Sequence, residues 1–177
     1  MKIEPPLQDE FQPFASLYVD RVPTDGAVLD HLRANGEALR SLLEPLSDTQ
    51  WHFRYAPGKW SVKEVLLHVI DTERILTYRA LRVGRGDPTE LSGFDQDLLM
   101  QQVIADHRSA ASLLAEHAVV RNATLSLFES FDEAAWQRRG VVGGGPLSVR
   151  AVAYFVAGHE LHHREILQRR YLASDAG

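Results

Sequence analysis

A chain of 177 residues, 45% of them apolar, has enough material to bury a sizeable core, and residues 1–177 are expected to form one domain. A net charge of −5, with no local run of Lys or Arg, removes the electrostatic footprint of a nucleic-acid binder. The lack of cysteine excludes disulfides, thiolate metal ligands and a cysteine nucleophile, so any metal must be held by imidazole and oxygen, and a reducing cytoplasm suits the chain.

Residues 1–20 mix Glu, Pro, Gln, Asp and aromatics without the apolar stretch of an export signal, and no apolar run approaches the roughly 20 residues of a membrane span. Neither export nor membrane contact is expected. The first helical pattern covers residues 25–44, bracketed by Pro23 and Pro45, with Val28, Leu32, Leu39, Leu42 and, just beyond it, Leu46 recurring at helical steps. The second starts at Ser61, the N-cap of a capping box with Glu64 three residues on, and is expected to reach Val83 and stop at Gly84. The third covers residues 104–130, with Ala111, Leu114, Ala118, Leu125 and Phe128 on one stripe. The fourth follows Gly143-Gly144-Gly145-Pro146, is capped by Ser148 and continues to Tyr171. No segment alternates with period two for long enough to demand a strand. Four helices of roughly 20–25 residues make an all-α four-helix bundle the natural architecture.

Residues 46–51 followed by Ser61 are echoed by residues 131–136 followed by Ser148, with Trp51 matching Trp136, which makes helices two and four counterparts. Counted from the two capping serines, His68, His159 and His163 stand at +7, +11 and +15, and at 100° per residue their directions fall within about 80° of one another. All three imidazoles are thus able to face one space between helices.

Three of the eight histidines lie within His159-Glu160-Leu161-His162-His163. Val149, Val152, Val156, His159, His163 and Ile166 share one stripe of the fourth helix, which puts two imidazoles where aliphatic side chains belong and turns His162 away by about 100°. A buried imidazole needs a partner, and a pair at i and i+4 with a third in an equivalent place favours a metal over hydrogen-bonded core histidines. Trp51, Trp60 and Trp136 are expected to plug the bundle ends. His107 and Arg121 fall on the inward rows of the third helix, where a guanidinium near a metal could hold an anionic substrate group; Arg121 is read instead as pairing with an acid at the bundle edge. Asp71 and Glu73 are read as solvating their helix face rather than orienting His68, Glu160 as a solvated or metal-supporting carboxylate, and His162 as a rim or metal-supporting residue.

Residues 57–74, with Gly58-Lys59-Trp60-Ser61, His68 and Glu73-Arg74, resemble a signature of the DinB-like superfamily, and Gly158-His159-Glu160-Leu161-His162-His163 resembles its last-helix motif. The resemblance spans nearly the whole chain. It implies a bundle of up-down-down-up topology and a divalent metal held by His68, His159 and His163, with His68 supplied as the third ligand. Zinc or nickel is expected, and iron and manganese also accept imidazole. The superfamily includes thiol-dependent S-transferases and isomerases, so the expected activity is a metal-dependent transferase that directs a low-molecular-weight thiol at an electrophilic substrate. The contending reading is a non-catalytic metal-binding or stress-associated homodimeric bundle.

His159-Glu160-Leu161-His162-His163 also satisfies the H-E-x-x-H pattern of zinc-dependent hydrolases, with Glu160 as general base. Against that reading, Ile166 and Arg169 stand where the longer motif has Gly and His, and Asp175 lies in an end expected to fray.

Overall fold

The computed structural model describes residues 2–173, and Asp175 lies outside them. In chain order the helices are α1 (Ser16–Val19), α2 (Val28–Leu43), α3 (Asp48–His52), α4 (Val62–Gly84), α5 (Gln96–Gln101), α6 (Ala110–Glu129), α7 (Glu133–Gln137) and α8 (Val149–Ile166). The four long ones form a bundle in which α2 and α4 each pack against both α6 and α8.

Local chemistry sets the helix starts. Ser61 Oγ accepts from the Glu64 amide at 3.3 Å while Glu64 Oε2 accepts from the Ser61 amide at 2.7 Å, so two donors left free by the first turn of α4 are satisfied. Ser148 Oγ does the same for the Ala151 amide at the start of α8. The repeated Trp-containing segments are the short helices α3 and α7, capped by Ser47 and Asp132, with Trp51 and Trp136 buried. Beyond Ile166 the chain makes a single π-helical turn, Leu167–Tyr171, whose Tyr171 hydroxyl donates to the Trp60 carbonyl at 2.7 Å.

The third helix starts later than its apolar pattern suggests, at Ala110 rather than residue 104. Ser109 Oγ accepts from the Ser112 amide at 3.1 Å, and a serine serves better as a cap than within a helix. Ile104 is consequently 65% exposed, and His107 lies exposed on the turn Ala105–His107 instead of facing inward. Likewise α2 begins at Val28, because Asp25 Oδ1 takes up the Ala27 amide in a turn of its own.

Two strands were not expected. β1 (Arg139–Val142) and β2 (Gly145–Ser148) pair antiparallel, with Arg139 opposite Ser148 and Val142 opposite Gly145. Gly143 and Gly144, at φ of 54° and 77°, form the two-residue loop, a conformation that favours glycine at both places. Four-residue strands are too short to show alternation, so the paired glycines were the available signal.

The bundle core has two apolar layers. One gathers Val28, Leu32, Leu76, Ala80, Phe128 and Val152, and the other Leu39, Leu43, Leu66, Ile70, Leu113 and Leu167. Between them lie buried polar side chains, including His68, Glu73, His117, Arg121, His159, Glu160 and His163. The segment before α2 completes the first layer with Ile3, Phe11, Ala15, Val19 and Val22, and packs α1 along α8. Among the described residues, no helix is long and apolar enough to cross a membrane.

Candidate functional site

His68 comes from α4, and His159 and His163 from successive turns of α8; they are 3%, 4% and 9% exposed. His159 Nε2 lies 3.0 Å from His68 Nε2 and 3.1 Å from His163 Nε2. Trp60 covers the His68 ring with 4.8 Å between centroids, and Tyr18 meets the His159 ring edge-on at 5.1 Å. Burial pushes His68 down to about 4 and His163 to about 3, and drives His159 well below the ordinary histidine value. Repulsion from neighbouring histidines adds to the depression, and the upward pull of Asp97 on His68, though larger than the repulsion from His162, falls short of the effect of burial, so the rings are neutral near pH 7.

Neutral rings explain why this donor set fits a cation. A single ring nitrogen carries either one hydrogen or one in-plane lone pair, so His159 Nε2 is unable to make two good hydrogen bonds to its two neighbours at once. A divalent ion among the three nitrogens would satisfy all of them together, and one ligand atom from each residue lies within 4.8 Å of the others. His162 stands apart from this cluster. Its ring meets Tyr18 edge-on at 5.4 Å, and its Nδ1 is sealed without a hydrogen-bond partner among the described residues.

A second polar group, next to the histidines but directed away from them, corrects three expectations. Glu73 and Glu160 are not on a solvated face, and Arg121, which does pair with acids as expected, does so in the core and not at the bundle edge: the three are 2%, 1% and 4% exposed. Arg121 donates from Nε and Nη2 to the two Glu73 oxygens at 2.9 and 2.8 Å, and from Nη1 to Glu160 Oε2 at 2.9 Å and to the Leu32 carbonyl. The other Glu160 oxygen accepts from His117 Nε2 at 2.8 Å. Burial alone would raise Glu160, but Arg121 and His117 outweigh it and hold the carboxyl below its ordinary value. Both Glu160 oxygens are thus engaged with α6, and neither is free to serve as a base at the histidine cluster. His117 was missed by the sequence reading, although it lies four residues before Arg121, the same interval that separates His159 from His163.

Two cavities reach the cluster from different sides. One, of about 190 Å³, is walled by Phe11, Phe14, Tyr18, Phe94 and Phe155 and reaches His159. The other, of about 270 Å³, is bounded by Tyr55, Lys59, Trp60, Asp97 and Tyr171 and reaches His163.

The DinB superfamily profile matches residues 31–167, well over half of the chain and inclusive of all three clustered histidines. The chain belongs to the DinB superfamily. Two Bacillus subtilis structures share the fold of this DinB-superfamily protein. YfiT, described as a probable metal-dependent hydrolase with an unusual four-helix bundle topology, aligns with a TM-score of 0.69 and 15% identity over 94% of this chain and 93% of its own. The DinB-like protein YjoA aligns with a TM-score of 0.60 and 15% identity over 85% of this chain and 92% of its own. No curated protein matches the chain by sequence.

In this superfamily member the N-terminal segment, which carried no clear helical pattern, forms one wall of the site. Its approach depends on Gly158: a Cβ there would lie 1.9 Å from the Tyr18 carbonyl oxygen. Gly158→Ala should therefore push α1 off α8 and destabilise the fold by roughly 1–3 kcal/mol, despite the better helix propensity of alanine. Urea unfolding measures the cost, and hydrogen exchange should show it concentrated in residues 11–22. An unchanged midpoint would mean that α1 does not dock this closely.

Proposed function

We propose that this DinB-superfamily protein is a divalent-metal-dependent transferase that brings a low-molecular-weight thiol to an electrophilic substrate, with His68, His159 and His163 as the metal ligands. The observation that carries the reading is a buried cluster of three neutral imidazoles reached by two separate cavities, which gives each of two co-substrates its own approach. A divalent ion held there would lower the pKa of a coordinated thiol or water, and zinc, nickel, iron and manganese are all compatible with imidazole ligands. Trp60 and Tyr18 shield two of the rings, while Arg121 and His117 hold the backbone-adjacent Glu160 away from the cluster. In the transfer the sulfur forms the new bond, the leaving group departs with its electron pair, and the thiol proton passes to solvent.

We take the bundle to run up-down-down-up. Glu73 with Arg121 and Thr77 with Thr124 advance together along α4 and α6, which supports a parallel pair. Arg33 with Glu129, against Gly36 beside His117, supports an antiparallel α2 and α6. His68 beside His163, with Trp60 bonded to Tyr171, supports an antiparallel α4 and α8.

Hydrolysis is the second reading, favoured by the description of YfiT. The two separate on one experiment. At pH 7 a free thiol of pKa near 8.5 is only about 3% ionised, so ionisation alone leaves room for roughly 30-fold acceleration. Metal-loaded protein is therefore expected to accelerate conjugation of monochlorobimane with at least one of glutathione, bacillithiol, mycothiol or coenzyme A, in proportion to metal occupancy. Metal-dependent cleavage of 4-nitrophenyl acetate without thiol would instead select the hydrolase, and inactivity in both assays would select a non-catalytic metal site.

A further inference from the structure

Two arginines are buried among the described residues, Arg79 and Arg121, and they are treated in opposite ways. Arg121 is clamped by two carboxylates, whereas Arg79 has none within ion-pairing distance among the described residues. Arg79 is 8% exposed; its Nη2 donates to the Ser92 carbonyl at 2.8 Å, and its guanidinium lies 5.2 Å from the centroid of the Phe94 ring. Among the described residues its other N–H groups have no acceptor, yet no Arg79 nitrogen is both sealed and unpartnered, so they open onto accessible space.

That space is the cavity that reaches His159. Arg79 lines it together with Thr72 and Leu76 from the same face of α4, and no Asp or Glu is among its lining residues. The cavity on the other side of the cluster does carry a carboxylate, Asp97. In a chain of net charge −5, a buried guanidinium left without an acid in an aromatic-walled cavity is an unfinished ion pair. Burial lowers the pKa of Arg79 with no opposing carboxylate, in keeping with that geometry.

We infer that Arg79 anchors the anionic group of a substrate that enters beside His159, so that the co-substrate on this side is an acid with an apolar, ring-sized body. The inference rests on the histidine cluster being the reacting centre. About 16 Å of helix separates the Cα atoms of His68 and Arg79, and helical side chains lean back toward the N-terminus, which is the His68 end of α4. An anion held there leaves the apolar body among Phe11, Phe14 and Phe155 and the opposite end of the molecule at the histidines. A cavity of about 150 Å³ suffices for benzene, so about 190 Å³ admits a ring and a short chain. Planar, two-point recognition makes guanidinium the suitable group for a carboxylate or phosphate.

Calorimetric titration with 3-phenylpropionate and its neutral counterpart 3-phenyl-1-propanol tests this in chelator-treated and metal-loaded protein. The acid is expected to bind at least about tenfold more tightly than the alcohol, about 1.4 kcal/mol, with or without the ion. Arg79→Met should abolish the preference and Arg79→Lys should keep part of it. In the wild-type protein the Arg79 Nε–H resonance should shift with the acid and not with the alcohol, a readout that needs no variant to fold. Equal affinities, no measurable binding of the acid, or a preference that survives Arg79→Met would overturn the anchor. A preference seen only in metal-loaded protein would place the acid on the ion and overturn it as well, while leaving the metal reading intact. A preference in protein that takes up no ion would support the anchor and count against the metal.

Discussion

Replacing Arg121 by methionine should cost the fold about 3–5 kcal/mol, because it leaves two carboxylates buried without their counter-charge. Methionine keeps the apolar length of the arginine stem, so the loss isolates the guanidinium rather than a cavity. Glu73 and Glu160 both depend on that one group, and Glu160 retains only His117 once it is gone. Adding Glu73→Gln and Glu160→Gln should recover part of the loss, since neutral amides are less costly to bury than unpaired carboxylates. The pH dependence has a definite sign. The Glu160 carboxyl is depressed in the folded protein, so its contribution to stability is present above the unfolded carboxyl value of about 4.3 and is lost as pH falls through the lower folded value. Urea unfolding of the wild-type protein and of the single and triple variants, at pH 7 and below pH 4, reads both effects. A cost below about 1 kcal/mol for Arg121→Met, the range of an exposed pair, would mean that solvent reaches this network.

The same network shows where the sequence was legible and where it was not. Ser61, Ser109 and Ser148 cap helices through amide groups three residues away, which is local information. The caps at Ser61 and Ser148 were read directly, whereas apolar Ile104 obscured the one at Ser109. Helical period placed His159 and His163 on the inward stripe and turned His162 off it. It was unable to say that Arg121 meets Glu73 and Glu160, because three helices must be brought into register before those charges become neighbours. Charged residues isolated on a helix are most simply read as solvated, and only their partners reverse that reading. Residues 2–27 were opaque for a related reason. Phe11, Ala15 and Val19 do recur at four-residue steps, but over two helices of only three and four residues, too short a stretch to stand out among the Pro and polar residues around them. Gly158, quoted as part of a motif, has a purpose visible only when the Tyr18 carbonyl lies over it.

Stripping a bound divalent ion with chelator should lower the melting temperature by roughly 5–10 °C when the ion had been held at about 100 times its Kd. The ion would tie α4 to α8, through His68 on one and His159 and His163 on the other, and it would bind the folded chain alone. The bundle should nevertheless survive its removal, because two apolar layers flank the polar middle. His159→Leu should behave in the opposite sense: its melting temperature should not respond to chelator, and it should exceed that of the chelated wild-type protein. The reason is that leucine removes the ring whose Nε2 faces two other imidazole nitrogens and puts apolar surface beside Phe155 in its place. His68→Ala and His163→Ala should also lose the ion, whereas His162→Ala, outside the cluster, should keep it. Metal analysis of the purified variants, paired with thermal melts, decides the matter. Unchanged melting after the ion is shown to be gone would remove the bridge between α4 and α8, and loss of metal from His162→Ala with retention in His163→Ala would overturn the ligand set.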